Sequence, residues 1–201
     1  MAAHIITKMK ENINRTLHGL AHKLKKLGMI TDFSYMVSPT QLFSFYKPWW
    51  RVTVEGKVFE CKIVFRFSVL RNYRVSFSDI KIIPQCGAIF FGMKRLDDLC
   101  RIITVLFLGI YLSSRLSLLT TPSKSAIAPP VLLRYNGSTA ECLFDLKSCG
   151  FKDSSLSVIV RYGDTNCPLI EVIRADGTVI ATGDFSNPDE VFRGVTLMAT
   201  L

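Results

Sequence analysis

Short catalytic signatures are missing from this chain. It holds no GxxxxGK(S/T), no GxGxxG, no GxSxG and no HExxH, so the common phosphate-loop, dinucleotide, nucleophile-elbow and zinc-protease chemistries have no sequence support. Histidine is scarce: all three, His4, His18 and His22, fall in the first 22 residues, and in a helix His4 would stand about 21 Å along the axis from His18. The six cysteines form no CxxC pair and have no histidine at zinc-finger spacing, which argues against a metal site. The carboxylate pairs Asp97-Asp98 and Asp189-Glu190 read as helix-start charges, because adjacent helical residues point in different directions. No catalytic residue, no metal ligand and no cofactor are therefore expected, and the chain reads as non-enzymatic.

Nor do the first thirty residues contain the uninterrupted apolar run of a signal peptide, since lysines and histidines break every stretch. A cytosolic chain with reduced thiols is expected. Asn14-Arg15-Thr16 and Asn136-Gly137-Ser138 are then chance matches to the N-glycosylation acceptor pattern. Acid is the scarcer charge, with 16 Asp and Glu against 25 Lys and Arg, and the formal excess of +9 points to an anionic partner. At 201 residues and 49% hydrophobic content, the chain is long and apolar enough to bury a core of ordinary size.

From Ile6 to Leu27 the residues Ile6, Met9, Ile13, Leu17, Leu20, Leu24 and Leu27 recur every three or four positions, which is one stripe of a helix ended by Gly28. The remaining surface carries Lys8, Lys10, Arg15, Lys23, Lys25 and Lys26 against Glu11 alone. Such a basic amphipathic helix suits an anionic bilayer or a nucleic acid; it equally suits packing on its own domain or a second subunit, or a transit-like segment. Residues 1–30 are read as this arm, 31–44 as a linker with Ser38-Pro39, and 45–201 as the globular domain.

The pattern then changes to period two. Arg51 to Glu55 and Val58 to Val69 read as strands joined at Gly56-Lys57, with Lys62 to Phe67 placing aromatics inward and basic residues outward. Phe77 to Ile83 and Ala88 to Phe91 are further extended pieces. Leu96 to Leu119 is apolar but closed off by Arg101 and by Ser113-Ser114-Arg115, which favours a buried core helix over a membrane span. Asn136-Gly137 and Asp176-Gly177 mark hairpins, Leu156 to Val160 another strand, and Asn187-Pro188-Asp189 a terminal helix or tail. The fold class expected is α+β: a twisted, mainly antiparallel sheet against a central helix near Leu99 to Leu119, preceded by the basic arm.

One resemblance sharpens this. Val64-Phe65-Arg66-Phe67-Ser68-Val69, Phe77-Ser78-Asp79, Ile89-Phe90-Phe91-Gly92-Met93 and Val105-Leu106-Phe107-Leu108-Gly109 follow one another as a hydrophobic strand, an aromatic-Ser-Asp segment, an aromatic strand ending in Gly-Met, and an apolar helix ending in Phe-Leu-Gly. That order resembles the middle of the matrix protein of vesiculovirus-type rhabdoviruses. The run Thr121-Pro122 through Ala128-Pro129-Pro130-Val131-Leu132-Leu133 resembles that family's hydrophobic loop, implicated in membrane contact and self-association. The resemblance covers about a quarter of the chain, and the family's PPxY and P(S/T)AP budding motifs are absent.

What the resemblance implies is a viral structural protein in the virion, the host cytoplasm and the inner face of host membranes. Its partners would be acidic lipid, the viral ribonucleoprotein (nucleoprotein and RNA), other copies of itself, and the viral glycoprotein. The six basic residues of the arm would supply charge, and Ile127, Val131, Leu132 and Leu133 the apolar contact. Rival expectations are a membrane-anchored viral accessory protein spanning at 96–119, and a soluble basic RNA-binding protein or silencing suppressor.

Overall fold

The computed structural model describes residues 2–37, 45–72, 74–84, 90–120, 131–151, 155–165, 167–184 and 193. Their fold is α+β, as the periodicities predict: two long helices and two antiparallel sheets. The chain divides into two compact units, Met1–Cys100 and Arg101–Leu201.

The first unit opens with helix α1 (Ala2–Lys26). Of the stripe read from sequence Met9, Ile13, Leu17 and Leu24 are buried and Ile6, Leu20 and Leu27 half-buried, while Ala21, not among those read, is buried beside them. Gly28 closes the helix with φ of 74°, and the Met29 amide donates to the Leu24 carbonyl, so the last turn keeps its hydrogen bonds where only glycine adopts the turn cheaply. The strands are β1 (Asp32–Val37), β2 (Phe45–Tyr46), β3 (Pro48–Val54), β4 (Lys57–Val69), β5 (Val75–Pro84) and β6 (Phe90–Met93). They form one sheet in the order β1-β3-β4-β5-β6, with β2 also on β4. Glu55 and Gly56, both at positive φ, make the tight turn from β3 to β4, so Lys57 belongs to the strand rather than to the turn expected for it.

One expectation is corrected here and another narrowed. Asp32–Val37 is an edge strand of the sheet where a linker was expected, because Phe33 and Tyr35 alternate with Asp32 and Ser34 and pair with Val52 and Trp50. Helix α1, read as an arm before the globular domain, belongs to the same unit as this sheet, which among the alternatives left open for it is packing on its own domain. Asn14 Oδ1 accepts hydrogen bonds from the hydroxyls of Tyr35 and, at 2.5 Å, Tyr46; these hydroxyls lie 2.7 Å apart. His18 packs on the rings of Phe33 and Tyr35, each centroid 5.3 Å away. The helix is therefore part of the first unit's core.

Helix α2 (Leu96–Thr120) carries the boundary between the units in its first turns, with Asp97 and Asp98 at its N-terminus as the sequence suggests. It is long and apolar enough to cross a bilayer, and it is buried along most of its length, the polar Thr104, Ser113, Ser114 and Ser117 included. The second sheet runs β11-β10-β9-β8-β7, from β7 (Leu132–Tyr135), β8 (Ala140–Asp145), β9 (Ser157–Tyr162), β10 (Leu169–Ile173) and β11 (Val179–Asp184). The single sheet expected is thus two: among the described residues no strand before α2 pairs with one after it.

In the second unit α2 lies against the new sheet at Gly109, where an added Cβ would stand 2.3 Å from Cys142 Sγ. Gly109 is a close-approach position inside the helix rather than its end. At the C-terminus of α2 the Thr120 hydroxyl donates to the Cys149 carbonyl at 2.5 Å. Both glycine turns read from sequence are present. Asn136 Oδ1 accepts from the Thr139 amide at 2.8 Å beside Gly137, and Asp176 Oδ1 accepts from the Thr178 amide at 2.9 Å, which holds the Asp176 carboxyl below its ordinary range. Asn187-Pro188-Asp189 lies outside the described residues.

Candidate functional site

Charge is the first guide to a site. The first unit holds sixteen Lys and Arg against seven Asp and Glu, while the second holds nine of each. The whole excess of nine belongs to the first unit, so its long-range field is positive and that of the second has no net sign.

Two faces of the first unit display this charge. Burial of Met9, Ile13, Leu17 and Leu24 fixes which side of α1 meets the sheet. At about 100° per residue, Lys8, Arg15 and Lys26 then project from the side directly opposite, and all three are exposed. A rise of about 1.5 Å per residue spreads this ridge over about 27 Å. Lys23 and Lys25 are exposed on its flanks, and Glu11 is its one acid. Lys10 turns toward the sheet, half-buried, with Nζ 5.5 Å from the Tyr46 ring centroid. The six basic residues named from the sequence thus divide: five are exposed, and Lys10 is packed. Because the apolar stripe is occupied by the unit's own core, the ridge offers charge without a bilayer-inserting surface.

The second face lies on the other side of the sheet. Trp50, Val52, Cys61, Ile63 and Phe65 point to the buried side, so their neighbours point away from it. Strand register brings four of these outward residues into one row: Met36 on β1 opposite Trp49 on β3, Trp49 opposite Lys62 on β4, and Lys62 opposite Ile83 on β5. With Val64 and Lys47 they line a groove of about 590 Å³. Phe45 sits beside it, opposite Arg66, its ring 5.2 Å from the Arg66 guanidinium carbon and 5.6 Å from Lys47 Nζ. Groove walls of Met, Trp, Val and Ile beside two ammonium groups suit a ligand with an apolar body and a negative end.

The sequence reading placed basic residues outward on β4, and Lys62 and Arg66 are indeed exposed. It did not find the groove. That depends on the register of strands up to 47 positions apart, Met36 to Ile83, which no local pattern reports.

The expected apolar loop fares differently. Ile127 lies outside the described residues. Val131 and Leu133 are each only 6% exposed and serve the core of the second unit, whereas Leu132 is 48% exposed. Strand alternation is the reason: Leu133 pairs with buried Cys142 on the side facing α2, and Leu132 with Leu143 on the outer side. That outer side also carries exposed Leu169 and Val179, and its charges compensate one another, Arg161 bonding Glu141 at 2.9 Å and also Glu171.

Reactive groups are not gathered at either face. Burial raises the thiol of Cys100 to about 12, with the Asp97 charge adding to it. Burial likewise raises Cys149 to about 11, against partial relief from hydrogen bonds with Ser117 and Ser148. Neither thiol is poised as a nucleophile at neutral pH. Among the described residues, no group of three or more His, Cys, Asp or Glu is placed to hold a metal ion. No protein-family model matches this chain, and no curated protein matches it in sequence.

Proposed function

We propose that this protein is a matrix-type viral structural protein whose first unit links an acidic membrane leaflet to a ribonucleoprotein. The observation that carries the reading is the confinement of the whole charge excess to one unit, displayed on two opposite faces. A protein with one basic face binds an anionic surface; one with two opposed basic faces joins two of them. The order of motifs on β4, β5, β6 and α2, which resembles the vesiculovirus-type matrix family, supports the viral assignment.

The second unit would supply self-association. Its formal charge is balanced, so copies approach without net repulsion, and the outer side of its sheet exposes Leu132, Leu169 and Val179 around compensated ion pairs. Polymerisation would convert weak lysine contacts into lasting attachment through avidity. On this reading the protein works at the inner face of host membranes and in the virion, with RNA, nucleoprotein and glycoprotein as companions.

Flotation tests the link directly. Labelled single-stranded RNA is mixed with phosphatidylserine vesicles and spun through a density gradient, with and without the protein. RNA should rise with the vesicles only when the protein is present, and less so when Lys8, Arg15 and Lys26 are changed to Gln. RNA that stays at the bottom under all conditions would sink the proposal. Deleting residues 1–30 is unsuited to the purpose, because it removes Ile13, Leu17 and Leu24 from the core.

A further inference from the structure

We infer that the groove on the outward side of the first sheet seats an acyl chain of an acidic lipid, which makes this side, and not the α1 ridge, the one that meets the bilayer. The inference rests on the proposed link between membrane and ribonucleoprotein and decides which face serves which partner. A membrane side needs an apolar entry point and cations around it, since charge alone leaves a peripheral protein weakly and reversibly held. The ridge has only charge, its apolar residues being buried in the unit. The sheet side has both. The groove row Met36, Trp49 and Ile83 is apolar, Lys62 lies within that row, and Lys47 stands at its border. Its 590 Å³ falls within the size range of small-molecule sites, about 300–1,000 Å³. The lysine ammonium groups would meet the phosphate or carboxylate while their stems line the apolar wall.

A nucleic acid is the other anionic candidate, since Trp49 and Phe45 lie among cations. The groove favours lipid for two reasons. Aliphatic side chains dominate its wall where base stacking needs exposed ring faces, and the Phe45 ring already has a cation near it from both Lys47 and Arg66. A polyanion without an apolar body is better served by the α1 ridge.

Trp49 is a built-in reporter. The chain has two tryptophans, and Trp50 is buried on the opposite side of the sheet, 1% exposed. The full-length protein is titrated with vesicles of phosphatidylserine brominated along the acyl chain, with brominated phosphatidylcholine as the uncharged comparison, and co-sedimentation is read in the same samples. Expected is quenching by the brominated phosphatidylserine, absent in Trp49→Phe, and requiring roughly tenfold more lipid in the Lys47→Glu, Lys62→Glu double variant, whose changed residues are exposed and whose circular dichroism spectrum should match that of the wild type. Co-sedimentation without quenching would overturn the groove and leave the membrane link standing. No association with any vesicle would overturn both. Quenching by a single-stranded oligonucleotide, with none from bromine, would overturn the lipid assignment and give this face to nucleic acid.

Discussion

Neutralising the α1 ridge should change the salt dependence of RNA binding by an amount that can be worked out beforehand. The perturbation is Lys8→Gln, Arg15→Gln and Lys26→Gln, three exposed positions directly opposite the buried stripe. Each phosphate contact to a single strand contributes about −0.7 to the slope of log K against log salt, so losing three should flatten the slope by about 2. Between about 50 and 200 mM salt, a fourfold change, the wild-type protein should therefore lose about sixteenfold more affinity than the variant. The gap between them narrows as salt rises and the Debye length falls. Structure should be nearly untouched: only Lys26 sits in the last turn of α1, where a cation is worth about 0.3–1 kcal/mol, or at most a few degrees of Tm. Fluorescence anisotropy of a labelled oligonucleotide, read across the salt series for both proteins, measures the slopes. Parallel lines would refute the assignment of these residues to phosphate contact, whatever the absolute affinities.

Other expectations concern the scaffold. Asn14→Ala removes the oxygen that receives both tyrosine hydroxyls and should cost about 1–3 kcal/mol in denaturant unfolding; a loss under about 0.5 kcal/mol would mean that water replaces it freely. Gly109→Ala gains about 1 kcal/mol of helix propensity but forces a Cβ to 2.3 Å from Cys142 Sγ, so it should destabilise, by about 1–3 kcal/mol of overpacking less that gain; in a Cys142→Ala background the same change should become neutral or stabilising. Among the cysteines described, exposed Cys167 should react first with maleimide near neutral pH, well ahead of Cys100 and Cys149. Stability should be fully present below pH about 9 and decline as pH rises through about 11 and 12, because the unfolded chain releases the Cys149 and Cys100 protons that the folded one retains. Burial and the neighbouring Tyr46 push the Tyr35 phenol in the same direction, so a reduced sample that gained stability above pH 9 would contradict this packing.

Much of the secondary structure was legible because it is written in local periods. The stripe from Met9 to Leu24, the alternation of Cys61, Ile63, Phe65 and Phe67, and the Asn136-Gly137 and Asp176-Gly177 turns all register within a window of a few residues. β1 was missed because the alternation of Phe33 and Tyr35 is brief and sits between a helix stop and a Ser-Pro pair, both of which signal irregular chain. The split into two sheets, the burial of Val131 and Leu133 and the groove beside Trp49 depend on which strands become neighbours. That is a long-range outcome with no local signature. Charge shows the same division: +9 is readable at once, whereas its confinement to Met1–Cys100 needs the unit boundary.

The docking of α1 on its own sheet sets a clock for synthesis. Its stripe leaves the ribosome before any of its partners, and β6, whose buried Met93 pairs with Ile80 on that side of the sheet, ends nearly seventy residues after Lys26. At about 5–20 residues per second, Ile13, Leu17 and Leu24 would wait roughly three to thirteen seconds without their final cover. During that interval the nascent helix would be a free basic amphipath, its apolar stripe open to bilayers and chaperones as it no longer is once docked.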